Sequence, residues 1–132
     1  MIQGLTHITL AVSHIDTALS FYCDVLGFTG HAKWDAGAYL SANDVWLCLS
    51  LDLPAPSPDY THIAWTVDQA EFVTFSETII ASGARIWKEN KSFGDSLYFN
   101  DPDGNKLEIH SGTLAQRLAS LIRAPYSGLQ WL

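Results

Sequence analysis

Basic residues are scarce in this chain: 7 Lys and Arg stand against 14 Asp and Glu, a net charge of −7. Such a balance repels phosphate backbones and anionic headgroups, so nucleic acid and membrane are excluded as expected main partners. Cysteine is almost absent. Cys23 and Cys48 alone cannot build a disulfide framework, and a reduced, cytoplasmic setting is the expectation. No stretch approaches the roughly 18 apolar residues of a transmembrane helix. The start, Met1-Ile2-Gln3-Gly4, lacks the basic and apolar regions of a signal peptide. Charged residues are only 16% and hydrophobic ones 48%, which excludes a disordered chain. The 132 residues suit one domain with a real core.

What is present is a repeat. Leu5-Thr-His-Ile-Thr-Leu-Ala-Val12 and Tyr60-Thr-His-Ile-Ala-Trp-Thr-Val67 align at an offset of 55 residues. Each is followed by helical spacing, over Asp16–Leu26 and Gln69–Ala81, ending at Gly27 and Ser82-Gly83. Ser13 or Asp16, and Asp68, are the expected N-caps. Strand-like runs then follow at His31–Trp34, Ala38–Ser41 and Val45–Leu51, and again at Arg85–Lys88, Ser96–Asn100 and Lys106–His110. Pro54, Pro56 and Pro58 mark a linker between halves. The expectation is an α+β domain spanning 1–132. Repeat one covers about 1–52, repeat two about 59–112, and a C-terminal helix and tail 113–132. Two tandem βαβββ units would form a curved, mostly antiparallel sheet shaped as a cup.

Alternation sorts the strand side chains by face. His7 and Thr9 share a mixed face, as do His62 and Ala64, while Glu108 and His110 oppose Leu107 and Ile109. Two equivalent His and one carboxylate make a common divalent-metal set with open positions. A half-buried structural role for each His is the competing reading, and duplication favours the ligand. Cys48 reads as a pocket or core residue. His14, His31 and His110 have no repeat partner and default to surface or supporting roles. Lys33 and Lys106 read as surface charges. The segment Lys88-Glu-Asn-Lys-Ser-Phe-Gly-Asp-Ser96 is either a solvated loop or a loop folded over the cup, offering cations to an anion and oxygens to a cation. With Arg117 it would form a local positive well.

At these residues the chain resembles the vicinal-oxygen-chelate superfamily, and within it the glutathione-dependent fosfomycin resistance transferases of the FosA type. The resemblance rests on Gly4–Val12, Trp34–Leu40, Trp46-Leu-Cys-Leu-Ser50, Asp59–His62, Trp87–Ser92, Gly94–Ser96, Tyr98–Gly104, Leu107-Glu108 and Ala124-Pro-Tyr126. It implies Mn²⁺ held by His7, His62 and Glu108, and a homodimer in which each cup combines units of two chains. His7 would then come from one chain and the other two ligands from its partner. It implies fosfomycin contacts at Thr9, Trp46, Cys48, Tyr60, Lys88, Ser92, Ser96, Tyr98 and Arg117. Of these, Thr9, Lys88, Tyr98 and Arg117 would serve the reaction itself. It implies K⁺ in the loop of Asn90, Ser92, Gly94 and Ser96, and glutathione near Trp34, Ser50 and Lys91.

Hydrolysing relatives carry a Glu base at the position of Gly37, and relatives using cysteine or bacillithiol carry Cys at the position of Thr9. Both matches point to glutathione. Phe93 stands where the close family usually has Glu, and Ala36 where Gln is often seen. The expected activity is opening of the fosfomycin epoxide by glutathione. The alternatives are another superfamily metalloenzyme (epoxide hydrolase, lactoylglutathione isomerase or extradiol dioxygenase) and a metal-free protein that sequesters the drug.

Overall fold

The two Thr-His-Ile segments open two four-stranded sheets of the same plan. In the computed structural model, which describes residues 1–132, the first unit runs β1 (His7–Val12), α1 (Ile15–Leu19), β2 (Thr29–Trp34), β3 (Gly37–Ala42) and β4 (Val45–Leu51). The second runs β5 (Ile63–Thr66), α2 (Phe72–Ala81), β6 (Ile86–Lys88), β7 (Asp95–Asn100) and β8 (Lys106–Ser111). A final helix, α3 (Leu114–Arg123), follows. The strand orders are β1-β4-β3-β2 and β5-β8-β7-β6.

The expected βαβββ units are therefore present and most strand pairs are antiparallel as expected, but the strands form two mixed sheets and not one. Each helix carries the chain back across its sheet, so the second strand of a unit starts in the direction of the first. Two hairpin reversals then return the last strand parallel to the first: β1 with β4 and β5 with β8. The remaining pairs are antiparallel.

Helix ends follow local chemistry only in part. Gly27 and Gly83 adopt φ of +78° and +87°, the left-handed conformation that ends a helix at little cost for glycine. Beyond α1 the helix widens into a π-turn over Ser20–Val25. The expected side-chain caps do not form. His14 occupies the cap of α1, Ser13 donates to Asp103, and Asp16 accepts from Lys33 at 2.8 Å. Asp68 precedes a 3-10 turn, Gln69–Glu71, and caps nothing with its side chain. Only Thr113 acts as a full cap, in a reciprocal pair with Gln116 at the start of α3.

One face of each sheet is buried. Leu47 and Leu49 of β4, Ala38 and Leu40 of β3, and Leu107 and Ile109 of β8 join Tyr22, Ile79 and Phe99 in a single core cluster drawn from both units. Polar clamps reinforce it. The buried Tyr22 hydroxyl donates to Asp101 Oδ2 at 2.7 Å, and Asn105 donates to the Ala11 carbonyl at 3.3 Å. Burial first, and then the Asp101 carboxylate, raise the Tyr22 pKa well above the ordinary phenol range.

The opposite face of the first sheet is exposed at Trp34, Tyr39 and Trp46, whereas that of the second sheet keeps Tyr98 and Glu108 buried. Total exposed surface is 8847 Å², against about 6,900 Å² for a folded monomer of this mass. The chain thus exposes roughly 1,900 Å² more than a typical monomer of its mass, and Trp34, Tyr39, Trp46 and Tyr60 are among its exposed side chains.

Candidate active site

Strand alternation sends every second side chain to these opposite faces, and the residues picked out by sequence divide between them. On the first sheet the parallel register sets His7 beside Trp46, Thr9 beside Cys48 and Ala11 beside Ser50. The His7 ring lies 4.4 Å from that of Trp46, Trp46 meets Tyr39 edge-on at 5.2 Å, and Tyr39 meets Trp34 at 4.7 Å. These three aromatic residues form an exposed row ending at His7. The His7 Nδ1 shares a hydrogen bond with the Thr6 hydroxyl at 3.0 Å, and Nε2 is left for another partner. Cys48 is buried and free, and Cys23 is free as well. Burial and then Asp24 raise the Cys23 thiol pKa, which disfavours its thiolate.

On the second sheet, Glu108 stands between Ala64 and Tyr98 in register, and Ser96 stands opposite His110. His62 Nδ1 lies 2.7 Å from the Tyr60 carbonyl, which only accepts, so Nδ1 carries the proton. In the neutral ring, Nε2 then presents its lone pair to Glu108 Oε1 at 2.9 Å. Two acceptors at that distance require a cation, either a proton on Nε2 or a metal ion. An imidazole oriented through its second nitrogen by a carbonyl is the usual support for a metal-ligating His. His62 and the buried Glu108 therefore fit a divalent ion. His7 does not join them: no cluster of three His, Cys, Asp or Glu able to hold a metal occurs within one chain.

Around this pair stands an aromatic cage. Trp87 donates from Nε1 to the Phe99 and Leu107 carbonyls at 3.0 and 3.1 Å, and its ring packs edge-on against His62, Tyr60 and Tyr98. Lys88 Nζ donates to the Tyr60 hydroxyl at 2.5 Å and lies over the Tyr60 and Tyr98 rings at 4.5 and 4.7 Å. The Tyr60 hydrogen bond foremost raises the Lys88 pKa, so its charge is secure at neutral pH.

The loop between β6 and β7 closes on its own oxygens. Asn90 Nδ2 donates to the Gly94 carbonyl at 2.8 Å, and Asn90 Oδ1 accepts from the Ser92 amide and hydroxyl, each at 3.1 Å. Arg117 ties α3 to this loop, donating from Nη2 to the Phe93 carbonyl at 3.0 Å, while its buried Nε has no partner. Phe93 acts there through its backbone, and its side chain is exposed. Lys91 is exposed. Ser96 lies on β7 and not in the loop, and its hydroxyl faces Glu108.

Two residues gain roles that the sequence reading did not assign, and His110 takes up one of those it left open. Lys106, read as a surface charge, donates to the linker carbonyls of Ser57 (3.0 Å) and Asp59 and so anchors the approach to Tyr60. Trp87 sits inside a motif quoted above, but nothing in its spacing marks it as a platform. His110 contacts Ser96 at 2.7 Å; alternation already put it on the face of Glu108. Gly37 is buried, and a Cβ there would lie 2.6 Å from Trp34 Cζ2 and 2.7 Å from the Leu49 carbonyl. No longer side chain fits without displacing Trp34.

The chain is similar to known proteins along most of its length. The family model for the Glyoxalase/Bleomycin resistance protein/Dioxygenase superfamily matches residues 4–109. The glutathione transferase FosA of Serratia marcescens is 48% identical over 134 residues, covering 98% of this chain and 95% of that protein. The metallothiol transferase FosB of Shouchella clausii is 37% identical, covering 90% and 87%. Among solved structures, a mutant of the fosfomycin resistance protein FosX from Listeria monocytogenes superimposes with a TM-score of 0.82 at 28% identity. The match covers 90% of this chain and 99% of that one, which was crystallised with Mn(II) and 1S,2S-dihydroxypropylphosphonic acid.

Proposed function

The chain belongs to the Glyoxalase/Bleomycin resistance protein/Dioxygenase superfamily, and from that premise we propose that it is a glutathione transferase of the FosA type that inactivates fosfomycin. The observation that carries this reading is the juxtaposition on the second sheet. The converging His62 and Glu108 acceptors sit beside the Lys88 ammonium. A cation site next to a fixed positive charge suits a substrate with both an anionic phosphonate and a polarisable epoxide oxygen.

His62 and Glu108 of one copy, with His7 of another, would hold a divalent metal such as Mn²⁺. When bound, that ion supplies Lewis acidity toward the epoxide oxygen. The two half-sites lie on different sheets of the chain, and no hydrogen bond joins the predicted residues of one to those of the other. A surplus surface of roughly 1,900 Å² per chain supports a homodimer interface of the obligate size class.

The chain's own residues then do the following. Lys88 holds the phosphonate by a charge-assisted bond, and Arg117 offers its unpartnered Nε–H to an acceptor. Tyr60 and Tyr98 wall the site and keep Lys88 in place. Trp34, Ser50 and Lys91 would line the approach of glutathione, with Trp46 and Cys48 beside the drug. Thr9, one strand step from His7, makes no side-chain hydrogen bond within the chain and is free to accept the thiol proton's hydrogen bond. The thiol sulfur forms a bond to an epoxide carbon as that carbon's bond to oxygen breaks, and the released oxygen takes up a proton. The oxygens of Asn90, Ser92 and Gly94, gathered in one loop, suit a K⁺ ion that would stiffen it. Water is a poor alternative nucleophile, because the packed Trp34 leaves no room for a base at Gly37.

Mass spectrometry of the drug incubated with protein, Mn²⁺ and glutathione should show the one-to-one adduct. His62→Ala and Glu108→Gln should abolish it. Unreduced adduct formation in either variant would refute the site.

A further inference from the structure

We propose that His110 is a positioning residue that orients Glu108 through Ser96 and holds the loop before β7 against the site at Gly94. The inference rests on the reading of Glu108 as a metal ligand. The Ser96 hydroxyl has one proton and two neighbours, Glu108 Oε2 at 2.6 Å and His110 Nδ1 at 2.7 Å. A carboxylate oxygen only accepts, so the hydroxyl proton goes to Glu108. His110 Nδ1 must then carry a proton and donate it to Ser96. The result is a directed relay of orientation: His110 holds Ser96, Ser96 holds Oε2, and Oε1 is left to face His62 at 2.9 Å.

The ring is itself wedged in place. A Cβ on Gly94 would lie 2.9 Å from His110 Cε1, and one on Gly112 would lie 2.7 Å from Nε2. The imidazole thus fills space that two glycines leave open. Gly94, at φ +85°, belongs to the loop and accepts from Asn90 there. One side chain therefore packs against the loop at Gly94, pairs with the Ser96 hydroxyl and lies 3.5 Å from Glu108 Oε2. Strand register explains why: Ser96 is opposite His110 on neighbouring strands, and Glu108 is two residues away on the same face. Partners of this kind set ligand geometry, and their loss typically costs about 10–100-fold in metal affinity.

The test is titration of the purified full chain with Mn²⁺, following the free-ion signal by electron paramagnetic resonance. The variants are His110→Leu, His110→Asn, Ser96→Ala and Glu108→Gln. An Asn amide places a donor near the Nδ1 position, whereas Leu has similar bulk and no donor. His110→Leu and Ser96→Ala should each weaken Mn²⁺ binding by about 10-fold or more, His110→Asn should restore most of it, and the His110→Leu/Ser96→Ala pair should add little to either alone. If His110→Leu does not fold, Ser96→Ala and His110→Asn decide the matter. Wild-type affinity in His110→Leu or Ser96→Ala, with Glu108→Gln impaired, would overturn this inference alone. An Asn variant as weak as Leu would reduce His110 to packing and overturn it too. Wild-type affinity in Glu108→Gln would overturn the metal-site reading itself.

Discussion

The division of the site between two sheets has a consequence that mixing can measure. If each complete site combines His7 of one copy with His62 and Glu108 of the other, a His7→Ala homodimer and a Glu108→Gln homodimer both contain two dead sites. Let the two exchange subunits. Each heterodimer then has one site with both lesions and one with neither, because the intact His7 comes from the Glu108→Gln chain and the intact Glu108 from its partner. Random exchange makes about half the dimers heterodimers, so about a quarter of all sites become wild type. The premise rests on one observation, that no metal-holding cluster forms within one chain, and a dimer interface of the obligate size proposed above would exchange too slowly for passive mixing. Exchange must therefore be driven by unfolding in denaturant and refolding together. The assay is glutathione-dependent loss of fosfomycin, with the separately refolded variants as blanks. Recovery near a quarter of wild-type activity is expected. No recovery, in a preparation shown to contain heterodimer by native mass spectrometry, would refute the shared site.

Other predictions follow from single contacts. Tyr22→Phe removes the donor to the buried Asp101, which keeps Asn105 as a partner, and should cost about 1.5 kcal/mol in urea unfolding; a loss below about 0.5 kcal/mol would show that the clamp is idle. Folded Tyr22 keeps its proton while the unfolded chain releases it above about pH 10, so the unfolded state binds fewer protons. Tyr22 should therefore lower stability by about 1.4 kcal/mol per pH unit beyond that point, a component absent in Tyr22→Phe. Gly37→Glu, forced against Trp34 and the Leu49 carbonyl, should lose about 1–3 kcal/mol of stability and gain no water-dependent epoxide opening; such a gain would refute the steric argument. Lys88→Met should lower kcat/KM for fosfomycin by about 10–100-fold, mostly through KM, and steady-state kinetics would show it.

Much of this organisation was readable in the chain. The offset of 55 residues between His7 and His62 revealed two equivalent strands, and period-two alternation set His7 with Thr9, and Glu108 with His110, opposite the greasy faces, whereas Trp46 and Tyr98 came from the family resemblance alone. Gly27 and Gly83 announced helix ends through a conformation that glycine adopts at little cost. What escaped depends on partners far away in sequence. Ser13 forgoes capping because Asp103, 90 residues on, offers a carboxylate. Lys106 is fixed by carbonyls of a linker 47 and 49 residues earlier. Propensity and periodicity carry no record of such meetings. The two-sheet arrangement escaped for a related reason: the repeat shows that each unit needs a partner, and it does not say whether that partner lies in the same chain. His110 lies between these cases, on a face the alternation identified, with a role that only the Ser96 register reveals.

Phosphorus NMR of fosfomycin separates thiol transfer from hydrolysis in a single comparison. Two tubes would contain purified protein, Mn²⁺ and K⁺, and only one would contain glutathione. A new phosphonate resonance confined to the tube with glutathione is the predicted result. The same resonance in both tubes would make water the nucleophile, and no new resonance in either would contradict the transferase reading.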